Sequence, residues 1–587
     1  MHSRKSYVEQ FSLIKENSYI REEENLSCGV HCVALGVILS GSTSRKATSQ
    51  LYVEYEGKIH EGEICFIQSS KNDAKILCRV DKIIPFSEFY EEGDAWSEAR
   101  RQRSQIPSEI SRKYYTLELE LLGEIRGNHI VEVTSPPAPG DEVLPLEDKN
   151  ELLAIMKSEE KDKATIEFGT FFGYKDIPLI LDLDAIPMHL AVLGVTGSGK
   201  SYTVGYLLEQ LSNINLVNLH TALPTMIIDA NGDYLDFYEM FHVKNQRIGK
   251  YTDVWRFVFN KSPARFSKGV KTISINIDEF EPREVAELII TYYSGGVFNE
   301  LQIAGLEQVL RKLREDNHSI SSLLINDDNF KHILLTELNK AAKGEKEEKL
   351  IHETTLIAIV RAMNKFRADI IERYELINYS RLVTLSSEFI DHITDPKNPT
   401  LVLLDFSADG APGISLQIKQ LVISYLTKLL LKKFTDYKIE GKEKVLLLII
   451  EEAQNYCPNL AVYPIGYSLA RNNLAQIATQ GRKFGLSLCL ISQRPSFVDP
   501  VILSMVNTFI IHRVSAGDVS FIKTVTGGLP KIIEDKLTNL ATGRAIVTGQ
   551  MNRLGFPVIV DIPERKIKPT VGGISVSKIL TSFGGLR

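Results

Sequence analysis

Residues 194–201, Gly-Val-Thr-Gly-Ser-Gly-Lys-Ser, constrain this chain more than any other stretch. The apolar run Leu190–Leu193 precedes them and reads as a buried strand. Behind them Val204, Leu207, Leu208 and Leu211 recur at i, i+3, i+4 and i+7, which reads as a helix. A strand, a glycine-rich turn and a helix in that order make a phosphate-binding loop. Gly194, Gly197 and Gly199 let backbone N–H groups curl around a phosphate without Cβ collisions. Lys200 brings a cation to the β/γ-phosphates, the Ser201 hydroxyl is a ligand for Mg²⁺, and the helix aims its positive end at the same point. Thr196, Ser198 and Tyr202 complete the candidate ATP-binding set.

With 587 residues, the length prior allows three to four domain-sized units. The composition, 44% hydrophobic and 24% charged, is that of an ordinary globular protein. A net charge of −6 excludes binding nucleic acid through overall charge, so any such contact must be local. The six cysteines sit mostly in apolar, strand-like runs, as expected of reduced structural thiols. Cys28-x-x-x-Cys32 encloses His31, but no second ligand pair follows to make a zinc site. The polar N-terminus has no signal peptide and no apolar run reaches membrane-spanning length, so the expected location is cytoplasmic.

Residues 1–150 read as β structure: short runs at 30–39, 64–68, 74–80 and 115–122 are separated by turns, with glycines spaced as a small barrel requires. A charged insertion at 91–113 carries Arg100, Arg101, Arg103, Arg112 and Lys113 and is either a solvated segment or a nucleic-acid or partner contact. From about 165, strands alternate with helices, which predicts an α/β fold with a mainly parallel sheet. The strand beginning at Thr225 ends in Asp229, which is either a neighbour of the phosphate site or the cap of its own turn. Residues 242–271 read as loop-rich and basic. Lys244, Arg247 and Lys250, three apart, are candidate DNA contacts or a solvated surface. The strand signal is lost over 282–390, where helical runs at 301–314 and 355–374 flank a charged loop at 340–349. It resumes at Val402, and strands at 508–512 and 544–548 are expected to finish the sheet.

The run 445–450 is fully apolar and exits into Glu451-Glu452, a pair with no packing reason to be there. Glu451 is the candidate second ligand for Mg²⁺ and Glu452 the candidate base that polarises the attacking water. A third buried run, Leu486–Ser492, ends in Gln493, whose amide can bond the γ-phosphate or the water. Arg482, just upstream in Gly481-Arg-Lys-Phe-Gly485, is a candidate transition-state arginine.

Together these stretches resemble the HerA branch of the HerA/FtsK ATPases. The carrying residues are the loop 194–201, Asp-Ala-Asn-Gly-Asp-Tyr at 229–234, Glu-Glu-Ala-Gln-Asn at 451–455, Gly-Arg-Lys-Phe-Gly at 481–485 and Ser-Gln-Arg-Pro-Ser at 492–496. The resemblance implies a RecA-like P-loop ATPase core in two parts, 151–281 and 393–560, around a helical insertion at 282–392. A small β-barrel at 1–150 precedes the core and a tail at 561–587 follows it. It further implies a homohexameric ring that hydrolyses ATP with Mg²⁺ and pumps double-stranded DNA through its pore. A separately encoded nuclease or other effector, for example a sirtuin-like NADase, is the implied partner, in antiviral defence or DNA-end processing. By the same carry-over Arg482 serves the neighbouring subunit's nucleotide. Two departures stand out: Gln454 occupies the family's usual His position, and Glu451 replaces Asp. The segment 458–473 lengthens the gap before Arg482, which leaves Arg471 as an alternative trans-acting arginine.

The competing function is an ATP-binding ring scaffold that assembles and activates an effector without productive translocation. A membrane-docked conjugation ATPase is disfavoured by the lack of an apolar span.

Overall fold

The computed structural model describes residues 34–569 except 71–73, 88, 94–95, 104–112, 128, 147–148, 158–162, 217–218, 344–351, 378–384 and 464–467. Cys28, His31, Cys32 and Arg112, together with most of the tail and of the loop 340–349, lie outside the described residues. Two compact units divide the chain, Met1–Lys149 and Asn150–Arg587.

The first unit is a closed β-barrel. Its strands are β1 (Gly36–Ile38), β2 (Lys46–Leu51), β3 (Ile64–Gln68), β4 (Lys75–Ser87), β5 (Lys113–Arg126), β6 (His129–Val131) and β7 (Glu142–Pro145). They run in the order β2-β1-β7-β3-β4-β5, the ring closes through β2–β5 pairing, and β6 hangs on the outside of β5. Alternation makes the interior: Leu117 and Leu119 of β5 are buried with Ile67, Cys78, Val80 and Val143, whereas Glu118 and Glu120, which alternate with them, are partly exposed. Register shifts in the β4–β5 pair at Leu77/Cys78 and Val80/Lys82 supply the bends that closure needs. Cys65 and Cys78 face each other across β3 and β4 as buried free thiols.

The second unit is built on a twelve-stranded sheet. Its strands are β8 (Thr165–Phe171), β9 (Pro178–Asp182), β10 (Leu190–Leu193), β13 (Thr225–Asp229), β14 (Asp253–Val258), β15 (Val270–Thr272), β16 (Thr400–Asp405), β17 (Leu446–Ile450), β18 (Leu486–Ser492), β19 (Thr508–Ile511), β20 (Arg544–Thr548) and β21 (Val558–Asp561). A small hairpin, β11 (Ile214–Leu216) and β12 (Leu219–Thr221), stands apart from it. The order is β15-β14-β16-β13-β17-β18-β10-β19-β20-β21-β8-β9, parallel as far as β19 and antiparallel beyond it. The central strands β10, β13, β16, β17 and β18 are buried at every residue, which explains their unbroken apolar runs.

Two expectations change here. The sheet does not finish at β20, because β21, β8 and β9 extend it antiparallel. The stretch 242–271 is not simply loop, because it contains β14 and β15: Asp-Val-Trp-Arg-Phe-Val has a strand's branched and aromatic content, which the surrounding lysines and arginines obscured. Between β15 and β16 the chain is helical, with Pro282–Tyr293, Glu300–Glu315 and Glu353–Arg367 as its longest members. The first of these opens with Pro282 and a capping box between Glu281 and Glu284, and Asn299 caps the second. Among the described residues no helix is long and apolar enough to cross a membrane.

Candidate nucleotide site

Strand order brings the site together. β10 carries the phosphate loop, β17 the paired carboxylates, and β18 lies between them, so all three end at one edge of the sheet. There a cavity of about 560 Å³ is lined by Thr196, Gly197, Gly199, Lys200, Ser201, Tyr202, Asn231, Asp233, Glu451, Glu452 and Gln493, among others. Gly194 and Ser198 lie beneath the loop rather than on the cavity wall. A Cβ on Gly194 would sit 2.7 Å from the His512 Cβ, at φ +155°, so only glycine fits there. Ser198 is buried and its hydroxyl donates to Val195 O at 2.7 Å. The helix Lys200–Leu211 starts at Gly199 with φ +108°, which leaves its first N–H groups directed into the cavity.

Lys200 is mostly buried and donates to Val195 O at 3.0 Å. Burial lowers its pKa, opposed by the nearby charges of Glu452, Glu451 and Asp233. Glu451 is buried at the exit of β17. One carboxylate oxygen accepts from Ser201 Oγ at 3.4 Å and from the Tyr234 hydroxyl at 3.3 Å, and the other from Ala230 N at 3.1 Å. Burial, then the charges of Asp229, Asp233 and Glu452, push the Glu451 pKa well above the usual carboxylate range. The Ser201 hydroxyl and the Glu451 carboxylate offer only oxygen, and the carboxylates of Glu451, Glu452 and Asp233 outnumber the one cation beside them, Lys200, which fits Mg²⁺. No cluster of three or more His, Cys, Asp or Glu side chains able to hold a metal occurs among the described residues. Ser201 and Glu451 would supply two oxygen ligands to such a cation and a bound nucleotide's phosphates would supply others.

Glu452 has left-handed backbone angles, φ 50° and ψ 48°, a conformation that costs a non-glycine residue about 1–3 kcal/mol. Its carboxylate is held on both oxygens: Gln493 Nε2 donates to one, and Gln454 Nε2 donates to the other at 2.5 Å. Gln454 in turn accepts from Ser492 Oγ at 2.8 Å. Gln493 also accepts from the Thr196 hydroxyl, so one amide links the phosphate loop to the carboxylate. The part played by Gln454 was not legible in the sequence beyond its being a departure from the family pattern.

Asp229 lies behind the cavity, not in it. It is fully buried, and its oxygens accept backbone N–H groups from Gly232 at 2.7 Å, Asp233 at 3.0 Å and Tyr234 at 3.1 Å. Of the two readings for Asp229 this is the turn cap, and the residues it delivers to the cavity are Asn231 and Asp233.

Arg482 sits at the opposite edge of the sheet, in the turn Gly481–Lys483 that leads into β18. The seven residues of β18 separate it from Gln493, about 20 Å at strand rise. It is exposed, and none of the described residues pairs with its guanidinium. Arg471 is committed elsewhere, its Nη2 lying 2.5 Å from the Asp499 carboxylate. Lys244, Arg247 and Lys250 are all exposed, and Lys250 lies on that same far edge, its N–H donating to O of Ser212, the C-cap of the phosphate-loop helix, at 2.7 Å.

The helicase HerA central-domain family model matches residues 166–430, a span that holds the phosphate loop and Asp229 and ends before Glu451. The DNA double-strand break repair helicase HerA of Sulfurisphaera tokodaii is 26% identical over 539 residues, 91% of this chain and 94% of the relative. By these matches the chain is similar to the HerA-type P-loop ATPases. A second HerA, from Pyrococcus furiosus, is 26% identical over 490 residues, 76% of each chain. Among solved structures, the bacterial conjugative coupling protein TrwB aligns with 72% of this chain and 94% of its own, at 15% identity and a TM-score of 0.45. The far-edge position of Arg482 follows from its place in the turn into β18, which lies opposite the turn out of that strand.

Proposed function

We propose that this chain is a ring-forming ATPase, six subunits to the ring, that drives double-stranded DNA through its pore. An effector encoded separately, a nuclease or an NADase of the sirtuin type, acts with it in antiphage defence or DNA-end processing. The observation that carries the ATPase part is the chain of bonds Thr196–Gln493–Glu452–Gln454, which ties the phosphate loop to an aimed carboxylate. The names of the HerA relatives carry the DNA part.

On this reading the loop N–H groups and Lys200 hold the β- and γ-phosphates of ATP. Glu452 accepts the proton of the attacking water, while Gln493 feels the γ-phosphate and the carboxylate together. Ser201 and Glu451 would hold Mg²⁺, which neutralises charge on the phosphate oxygens. Arg482 cannot serve its own nucleotide across the sheet, so it serves a neighbour's. DNA-stimulated ATP turnover by the purified protein is the decisive measurement. Turnover indifferent to DNA would leave an ATPase without the proposed motor.

The trans arrangement has its own test. Arg482→Ala is expected to keep nucleotide binding and to lose about 10²-fold or more of turnover. Mixing it with Glu452→Gln should restore part of the activity, because a mixed interface can hold one intact arginine and one intact base. Light scattering that reported a monomer with full activity would end the proposal of a ring.

DNA contact is assigned to Lys244, Arg247 and Lys250. With an acidic chain, cations must converge where copies meet, and phosphate contacts give affinity without sequence preference. Neutralising all three should leave basal ATPase and particle mass unchanged, while DNA stimulation falls and the salt dependence of DNA affinity flattens by up to about three phosphate contacts. Unchanged DNA stimulation would move the contact to 100–113 or 458–473.

A further inference from the structure

The segment after the last strand returns to the phosphate-loop helix and packs along one stripe of it. Tyr202, Gly205 and Glu209 form that stripe, spaced three and four apart. The Arg565 N–H donates to the Tyr202 hydroxyl at 2.6 Å, and the Lys566 and Ile567 N–H groups donate to the Glu209 carboxylate at 2.9 Å each. The Arg565 side chain is 1% exposed and enters between two elements: its Nε donates to Glu209 at 3.3 Å and its Nη2 to Asp236 at 2.5 Å. It passes over Gly205 so closely that a Cβ there would lie 2.3 Å from the guanidinium carbon. A glycine inside a buried helix costs about 1 kcal/mol against alanine, and here the space it leaves is filled by Arg565.

The two acids that Arg565 joins stand on two elements that each help line the nucleotide cavity. Glu209 is on the helix whose first turn is Lys200 and Ser201. Asp236 follows directly on the turn 229–234, which puts Asn231 and Asp233 in the cavity wall and holds Glu451 through the Tyr234 hydroxyl. Without a cation between them, two buried carboxylates would repel and the two elements would separate.

We propose that Arg565 is a positioning residue of the nucleotide site: it locks the phosphate-loop helix to the 229–236 turn, and so sets the distance between the Ser201 hydroxyl and the Glu451 carboxylate. Arg565 does not line the cavity. Its effect is on how well both ligands are held at once, and the planar fork is essential because a lysine reaches only one of the two acids.

The experiment uses full-length protein carrying Gly205→Ala, which displaces the guanidinium without removing a charge, alongside Arg565→Lys. Binding of a fluorescent ADP is titrated with Mg²⁺ well below the melting temperature, and ATP KM and kcat are measured beside it. The half-saturating Mg²⁺ concentration and the KM should rise about tenfold, with kcat at saturation changing less than threefold. Lower melting temperature with Mg²⁺ and ADP affinity unchanged would make Arg565 a structural residue only and overturn the proposal. Should Gly205→Ala fail to fold, Asp236→Asn keeps a carbonyl oxygen to accept from Nη2 and removes only the charge of that pair. A several-fold rise in the Mg²⁺ requirement is expected of it, and none would equally overturn the proposal. Wild-type turnover is the control: if it is missing, the reading of the site as an ATPase fails independently of Arg565.

Discussion

Glu452→Gln is expected to bind ATP with near-wild-type affinity and to hydrolyse it about 10²- to 10⁴-fold more slowly. The substitution keeps the shape of the side chain and its left-handed backbone but removes the proton acceptor. Both neighbours already donate amide N–H groups to the carboxylate, and Gln493 and Gln454 can each turn to accept from the new amide. The local network therefore survives, and the loss falls on chemistry. Equilibrium binding of a fluorescent ATP analogue beside single-turnover hydrolysis separates the two, and turnover within about tenfold of wild type would remove Glu452 from the base position.

Lys200→Ala is expected to fail earlier, at binding. Lys200 is the cation among Glu451, Glu452 and Asp233, and all three raise its affinity for its proton against burial. Alanine leaves those carboxylates facing the nucleotide's own negative charge. ATP affinity should fall by about tenfold or more and hydrolysis by about 10²- to 10³-fold, the scale of losing one cationic clamp on a transferring phosphoryl group. Isothermal titration beside steady-state rates distinguishes this double loss from the single loss expected of Glu452→Gln.

The parts of the site legible in the sequence are those whose chemistry is written in adjacent residues. The phosphate loop encodes its own backbone, since the glycines at 194 and 199 meet positive φ and a crowded neighbour. The buried strands announced themselves as apolar runs, and the carboxylates as the residues that end one of them. What stayed hidden is held across long separations. Arg565 meets Glu209 356 residues away and Asp236 329 away, and nothing local marks an arginine after a final strand as buried. Asp229 allows two readings in the sequence, and the four backbone N–H groups on its oxygens make it a turn cap. Residues 242–271 hide their strands for a different reason: the lysines and arginines that flank β14 and β15 outweigh the branched and aromatic run inside β14.

The closure of the N-terminal barrel bears on how other molecules can join this chain. A sheet recruits an extended peptide by offering unpaired backbone along a free margin. Here β2–β5 pairing uses that margin up, and the ladder left open lies mainly along three-residue β6 and the end of β4 beyond Val80. In that end of β4 stands Pro85, which has no N–H to offer. Strand addition is thus a poor route onto this unit. A protein that docks on it must recognise side chains and turns, so its affinity will be sensitive to single surface substitutions in a way that backbone pairing is not.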